Sequence, residues 1–412
     1  MRTLVAMGWF TDSEGTVLTL RYLYSDFKDY GNKWTYTLND GSSPGYKVSQ
    51  RAPDYSIGNV ALSGSHTLTS MVIHWEAAVS RSAEVASAGN PGADFKPTGD
   101  LSNSTNCLYD ASATTNIYLP QWTSNCFTPG PDYIFNTDDY KLKSVTYSHG
   151  LTAQLNLLAA GSVAKNYHLG SHFATFEFGG KFRNAHKFDD SWEDEFDPNS
   201  KYLMTQFLGN FTNPNFYGGH YPFGPVTDWA NITGFVNANG SDFAYSNTYG
   251  GNNNNFDMVE QISAGYLMNT VDLGRFRVIA GVRFEGTSVK TLSCDCTNPV
   301  TGQGPVNVPF NGSYFNALPS ASVRYRIDDN SDLRVVYGMG LARPDPEFLT
   351  TAVTIDITTN PYTYSIGNPA LKAEHAQDGD ILYERYLKPI GMVSGGIFYK
   401  YLTNPIIEAT TH

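Results

Sequence analysis

The stretch that decides the fold is residues 314–344, YFNALPSASVRYRIDDNSDLRVVYGMGLARP. Its second half alternates in polarity, and one side of it carries Leu333, Val335, Tyr337, Met339 and Leu341. Alternation with a period of two predicts a strand, because successive side chains of a strand point to opposite faces. Asp328–Ser331 separates this run from a similar one and predicts a tight turn. The stretch is therefore predicted to be a β-hairpin.

The same pattern recurs along the chain and predicts about twelve strands. They are residues 1–11, 16–27, 50–65, 69–84, 140–162, 172–187, 258–270, 275–289, 314–327, 333–344, 377–387 and 392–403. Short turns alternate without exception with long polar loops, which are 28–49, 85–139, 188–257, 290–313 and 345–376. Outer-membrane barrels have this organisation, with short turns at one rim and long loops at the other. We therefore expect an all-β, transmembrane antiparallel β-barrel.

Composition agrees with many short membrane strands. Charged residues are 16% of the 412 residues and aromatic residues are 14%, whereas soluble domains average roughly 25% charged residues. No apolar stretch approaches the roughly 20 residues that a membrane helix needs. The net charge of −12 argues against a nucleic-acid partner, because phosphate contacts need clustered Lys and Arg.

The polar sides of the predicted strands carry full charges. In 275–289, for example, the apolar side holds Phe276, Val278, Ala280, Val282 and Phe284, and the other side holds Arg277, Arg283 and Glu285. A wide aqueous or plugged lumen accommodates such charges, and lipid accommodates the opposite face. We expect Arg277, Arg283, Arg324 and Arg334 to line the lumen and to pair with carboxylates. The alternative is an anion-conducting role.

Several ordered motifs make the chain similar to a known family. They are FEFGGKFR (176–183), AGYL (264–267), VDLGRF (271–276), AGVRFE (280–285), LPSA (318–321), LARP (341–344), IGNPALKAE (366–374) and GIFYK (396–400). In this order and spacing they resemble the barrel of TonB-dependent outer-membrane receptors. The resemblance is closest to the subgroup described from Xanthomonas and Caulobacter relatives, and it is stronger over 170–403 than over 1–169.

The resemblance implies a bacterial outer-membrane transporter with a twenty-two-stranded barrel and an N-terminal plug. Against that pattern, 1–412 is expected to be one partial barrel domain, without the plug, a TonB-box segment or the terminal aromatic strand. The implied partners are outer-membrane lipid, the TonB complex through the plug, and a scarce small ligand. The family's ligand classes are ferric siderophores, haem, cobalamin and oligosaccharides; of these the oligosaccharide or ferric siderophore class is expected, and the subgroup and the aromatic loops favour a carbohydrate or another plant-derived ligand. No cofactor is expected.

Aromatic residues of the 188–257 loop are the candidates for ligand binding: Trp192, Tyr217, Tyr221 and Trp229. Aromatic faces stack on sugar rings and on catecholate or haem-like ligands. The alternative is that they pack the loop onto itself. The acidic run Glu193–Glu195 is expected to be a solvated part of this loop, and Arg343-Pro344 is interpreted as a strand end, since Pro interrupts the ladder.

The four cysteines form two local pairs in polar loops. Cys107 and Cys126 are a candidate disulfide, which would fit an oxidising compartment. Cys294 and Cys296 could close a small ring, pair with another loop or stay reduced. Neither spacing predicts a zinc site. No catalytic motif is found, so no catalytic residue and no enzyme activity is expected.

Two alternative interpretations compete with the transporter. A passive porin or an adhesin-like barrel could be closed by the twelve strands alone, which requires 3–10 to pair with 392–403. A soluble, secreted β-protein would not expose a continuous apolar belt.

Overall fold

Most of the chain is antiparallel strand. The structure is a computed structural model, and it describes residues 2–11, 15–37, 44–98, 136–219, 223–247, 255–295, 306–349, 353–356, 363–368 and 370–407. The main strands are β1 (Arg2–Thr11), β2 (Thr16–Lys28), β5 (Asp54–Thr67), β6 (Met71–Pro97), β7 (Tyr140–Leu169), β8 (His172–Pro198), β10 (Phe256–Leu273), β11 (Phe276–Asp295), β12 (Val306–Asp328), β13 (Ser331–Ala342), β16 (Glu374–Tyr386) and β17 (Met392–Thr403).

The twelve main strands pair in chain order from β1 to β17, so the sheet is an up-and-down meander. Shorter elements lie in the long connections: β3 (Gly31–Thr37), β4 (Gly45–Arg51), β9 (Phe243–Asn247), β14 (Val353–Asp356), β15 (Thr363–Ile366) and the helix α1 (Trp229–Ala238). No described helix is long and apolar enough to cross a membrane. The prediction of an all-β fold with about twelve main strands is confirmed.

The two faces of the sheet differ as the alternation predicts. Phe178 lies opposite Leu267, and Leu267 lies opposite Val282, so these side chains share one face. That face is solvent-exposed, with Phe178 51% and Leu267 47% accessible. On β11 its apolar run extends over 276–284, which matches the roughly nine to eleven residues of a membrane-spanning strand. This apolar face argues against a soluble β-protein.

The strands continue well past the predicted boundaries at the long-loop rim. β6, β7 and β8 contain 27, 30 and 27 residues, several times the length of one membrane crossing. The prediction that the acidic run belongs to a loop is therefore wrong, because Glu193, Asp194 and Glu195 lie in β8 and pair with β7. Likewise, most of 290–313 is strand. Backbone pairing continues where the two faces no longer differ in polarity, so the polarity pattern ends before the strand does.

The sheet is open. β1 pairs with β2, β17 pairs with β16, and within the described residues no pairing joins β1 to β17. Both edges expose large apolar side chains, including Trp9 at 70% and Phe398 at 81%. The alternative of a barrel closed by these strands alone is contradicted by this pairing.

Close packing between strands can be tested at a glycine. A Cβ added to Gly281 would lie 2.7 Å from the carbonyl oxygen of Leu267 and 3.1 Å from the Cα of Met268, so Gly281→Ala must displace β10. We expect a loss of about 1–3 kcal/mol in the free energy of unfolding. Gly265→Ala is the matched control, because its nearest atom is 3.8 Å away. Urea unfolding in detergent micelles measures both, and equal midpoints for the two variants would contradict this packing.

Candidate functional site

The charged face of the sheet is concave. A cavity of about 340 Å³ lies against it and touches residues of β2, β5, β6, β7, β8, β10 and β11. One cavity can contact seven consecutive strands only on the inside of their curvature. Its lining includes Arg21, Glu76, Lys181, Tyr266 and Arg283, beside the small residues Ser162 and Gly161. This face is therefore the lumen side, and the apolar face is the outer side.

The four predicted lumen arginines all lie on this inner face. Arg277, Arg324 and Arg334 are directly opposite one another on β11, β12 and β13. Each has a carboxylate within ion-pair distance: Asp272 at 3.7 Å, Asp332 at 4.0 Å and Glu384 at 3.2 Å, respectively. Since these guanidinium groups are about a third or more exposed, each pair contributes little to stability. The row gives the lumen wall a fixed pattern of charge.

The fourth arginine belongs to a more buried network near the long-loop rim. Arg283 donates to Glu285 at 2.6 Å, and Arg343 also donates to Glu285 at 2.6 Å. Arg183 donates to Glu260 at 2.6 Å, and Arg343 lies 3.7 Å from the same carboxylate. The side chains of Glu260 and Glu285 are only 8% and 10% accessible. Sequence reasoning missed Glu260 and the role of Arg343, because their convergence depends on how the β13–β16 connection folds.

The connections that contain the predicted ligand-binding aromatics form an outer head, defined as β3, β4, residues 199–247 and the adjoining ends of β6, β7 and β8. Its core combines residues from all these parts: Val48, Ala93, Phe95, Tyr140, Leu142, Val145, Met204, Phe207, Ile232, Val236 and Phe243. The side chain of Asp228 begins α1 by accepting a hydrogen bond from the backbone N–H of Ala230 at 2.8 Å. The head is therefore a packed unit rather than a set of free loops.

The structure places two of the four predicted aromatics, and both pack against β7. The ring of Trp192 stacks on His149 with 5.0 Å between centroids, and the ring of Trp229 meets Tyr147 edge-on at 6.0 Å. Tyr147 and His149 lie on the same side of β7 as Leu155 and Leu157, which is the outer face. Trp192 and Trp229 thus pack on the face opposite the lumen. Their role in ligand binding stays a prediction.

The remaining predicted site residues lie outside what the structure describes. The side chain of Tyr217 is not described, and Tyr221, Cys107, Cys126 and Cys296 fall outside the described residues. Elsewhere, within the described part of the chain, no group of three His, Cys, Asp or Glu side chains could hold a metal ion.

Three tyrosines are in contact in the outer head, where Tyr140 is buried and Tyr36 and Tyr46 are partly buried. Ring centroids are 4.5 Å apart for Tyr36 and Tyr46 and 4.7 Å apart for Tyr46 and Tyr140. Burial raises the pKa of Tyr36 to about 12, and a hydrogen bond with Tyr140 partly opposes the shift. Burial also raises the pKa values of Tyr46 and Tyr140. The folded head therefore favours the neutral phenols.

The head is expected to lose stability in alkaline solution. Because the folded pKa of Tyr36, about 12, exceeds its ordinary value of about 10, its contribution is full below pH 10 and declines as pH rises towards 12. Urea unfolding followed by tryptophan fluorescence between pH 8 and 11.5 should give a falling midpoint. Tyr36→Phe should flatten that fall, whereas Tyr399→Phe, on exposed β17, should not. If the urea midpoint falls equally steeply with pH in the unchanged protein, in Tyr36→Phe and in Tyr399→Phe, this account is refuted.

A comparison with family models finds the TonB dependent receptor-like, beta-barrel family over residues 87–412. No curated protein matches the chain. Solved structures similar to it include the ferric-catecholate import receptor Fiu from E. coli K12, at 10% identity and a TM-score of 0.43. Others are the siderophore receptor PiuA from Acinetobacter baumannii, at 9% and 0.44, and the hemophore receptor HasR from Serratia marcescens, at 10% and 0.39.

These matches cover nearly all of this chain but only part of the solved proteins. They include 97%, 96% and 96% of the chain, against 56%, 52% and 51% of Fiu, PiuA and HasR. The chain therefore spans about half the length of the structures it matches.

Proposed function

The chain belongs to the TonB dependent receptor-like, beta-barrel family, and on that premise we propose that it forms the wall of an outer-membrane active transporter. In this role the apolar outer face meets lipid, and the charged inner face meets the ligand path. Energy would come from TonB through a plug domain, as the resemblance implies. We propose no enzymatic activity for the wall.

The observation that carries this proposal is the different chemistry of the two faces of one sheet. Phe178 and Leu267 are exposed on one face, and Arg277, Arg324 and Arg334 form an aligned row on the other. Lipid requires every backbone hydrogen bond to be made within the sheet, and antiparallel pairing meets that requirement. A charged concave wall suits a hydrated or plugged interior.

For the ligand we propose the oligosaccharide or ferric siderophore class. Ferric siderophores and similar anionic chelates would interact with the arginine row and with Lys181, which faces the lumen cavity. The solved proteins named above are described as receptors for ferric-catecholate, siderophore and hemophore ligands. The Xanthomonas and Caulobacter subgroup, proposed from the motifs at 264–285 and 366–374, favours the carbohydrate alternative.

Uptake by cells with and without the gene tests the transport role. Deletion strains should grow more slowly than the parent under limitation for one ligand, either iron supplied as a chelate or a single oligosaccharide. Expression of the intact gene should restore growth, and removal of TonB should abolish the restoration, because transport against a gradient needs energy input. Ligand accumulation measured with labelled chelate or sugar provides the direct readout.

Two results would count against the proposal. Uptake that is restored equally well without TonB would indicate passive diffusion. Recovery of the protein in the soluble fraction, with no growth difference on any iron source or carbohydrate, would contradict both the membrane location and the transport role.

A further inference from the structure

The connection after β13 folds inward over the lumen face of β10 and β11. We name residues 343–349 the inner strap. At its far end Leu349 is 5% accessible and packs with Met258 and Val289, and Leu371 joins the same cluster. Met258 shares the inner face of β10 with Glu260, and Val289 shares that of β11 with Glu285. The strap therefore covers the inner wall rather than extending away from it.

At its near end the strap is held by charge. The Arg343 guanidinium lies between two carboxylates on neighbouring strands, 2.6 Å from Glu285 and 3.7 Å from Glu260. Arg283 and Arg183 hold the same two carboxylates from the wall. Arg343 is the one member of this network that belongs to the strap. Breaking its contacts would leave the other two ion pairs in place on the wall.

Buried polar groups without hydrogen-bond partners lie beside the residues that the strap contacts. The hydroxyl of Thr291 lies next to Val289 on the inner face of β11, and the side-chain amide nitrogen of Asn316 lies on the strand position opposite Glu285. Buried polar groups without partners favour any state that exposes them to water. Among the described residues, the Leu349 contact, the Arg343 ion pairs and the hydrogen bond between Arg343 and Tyr314 oppose that tendency. The balance between closed and open strap therefore depends strongly on Arg343.

We propose that Arg343 is a releasable latch, which holds the inner strap against the wall and so keeps Val289 on the inner face of β11 covered. In the latched state Val289 is shielded by Leu349. When Arg343 leaves Glu260 and Glu285, the strap detaches while the sheet stays paired, and Val289 becomes accessible to water. The latch is a property of the fold and does not depend on which ligand is transported.

Cysteine labelling of the intact protein in detergent tests the latch. Val289→Cys, in a background with Cys107, Cys126, Cys294 and Cys296 replaced by serine, reports on the covered wall through its reaction with a polar maleimide, because Val289 packs against Leu349 of the strap. Adding Arg343→Gln should raise the labelling rate at least about tenfold, since one partner of a buried ion pair is lost. Arg343→Lys should give an intermediate rate, because the ammonium group of Lys keeps the charge but lacks the planar set of N–H donors with which a guanidinium contacts two carboxylates.

Arg385→Gln is the matched control, because Arg385 forms an exposed ion pair, 3.7 Å from Asp328, at the short-turn rim. It should leave the rate unchanged. Ile232→Cys, fully buried in the outer head, reports on global unfolding and should stay protected in the Arg343→Gln protein. An unchanged rate at Val289→Cys in Arg343→Gln would overturn the latch. Equal increases at Val289→Cys and Ile232→Cys would also overturn it, because Arg343 would then stabilise the whole fold.

Discussion

Antiparallel backbone pairing is the constraint on which the rest of this structure depends. Each main strand satisfies its N–H and C=O groups with its sequence neighbours, and the registers run without interruption over most of the strands. Once the register is fixed, each side chain is assigned to one face, because the pleat has a period of two. A shift of one residue would move Arg277 into the apolar face and Val278 into the lumen. The chemistry of both faces thus follows from the pairing.

The sequence predicts the part of the fold in which the two faces of a strand differ in polarity. Between Phe276 and Phe284 the apolar face and the charged face require opposite residue types, so alternation is clear and the strand is predicted. Above that zone, β7 and β8 are still paired, but the outer head covers one side of them. Polar and apolar residues then follow the packing of the head instead of the pleat. Glu193–Glu195 was therefore assigned to a loop, and α1 was not predicted.

The residues of the candidate site likewise include some whose positions the sequence predicts and others whose positions it does not. The positions of Arg277, Arg324 and Arg334 on one face follow from the strand pattern, because side chains alternate between the two faces along a strand. The network of Arg183, Glu260, Glu285 and Arg343 needs contacts between residues as much as 83 positions apart, and one of them belongs to a connection. The LARP motif marks the strand end correctly, but nothing local indicates that Arg343 turns inward. Trp229 shows the opposite case, in which an aromatic residue that resembles a ligand contact packs on the outer face.

The open edges place a condition on any strands that complete the wall. Twelve paired strands in a meander alternate in direction, so β1 and β17 run antiparallel to each other. If every added strand is also antiparallel to its neighbours, closure requires an even number of them. Ten added strands, which would give the twenty-two that the resemblance implies, satisfy this condition. Trp9 and Phe398 are exposed at the two edges, and an unpaired sheet edge presents backbone N–H and C=O groups with which another strand can pair.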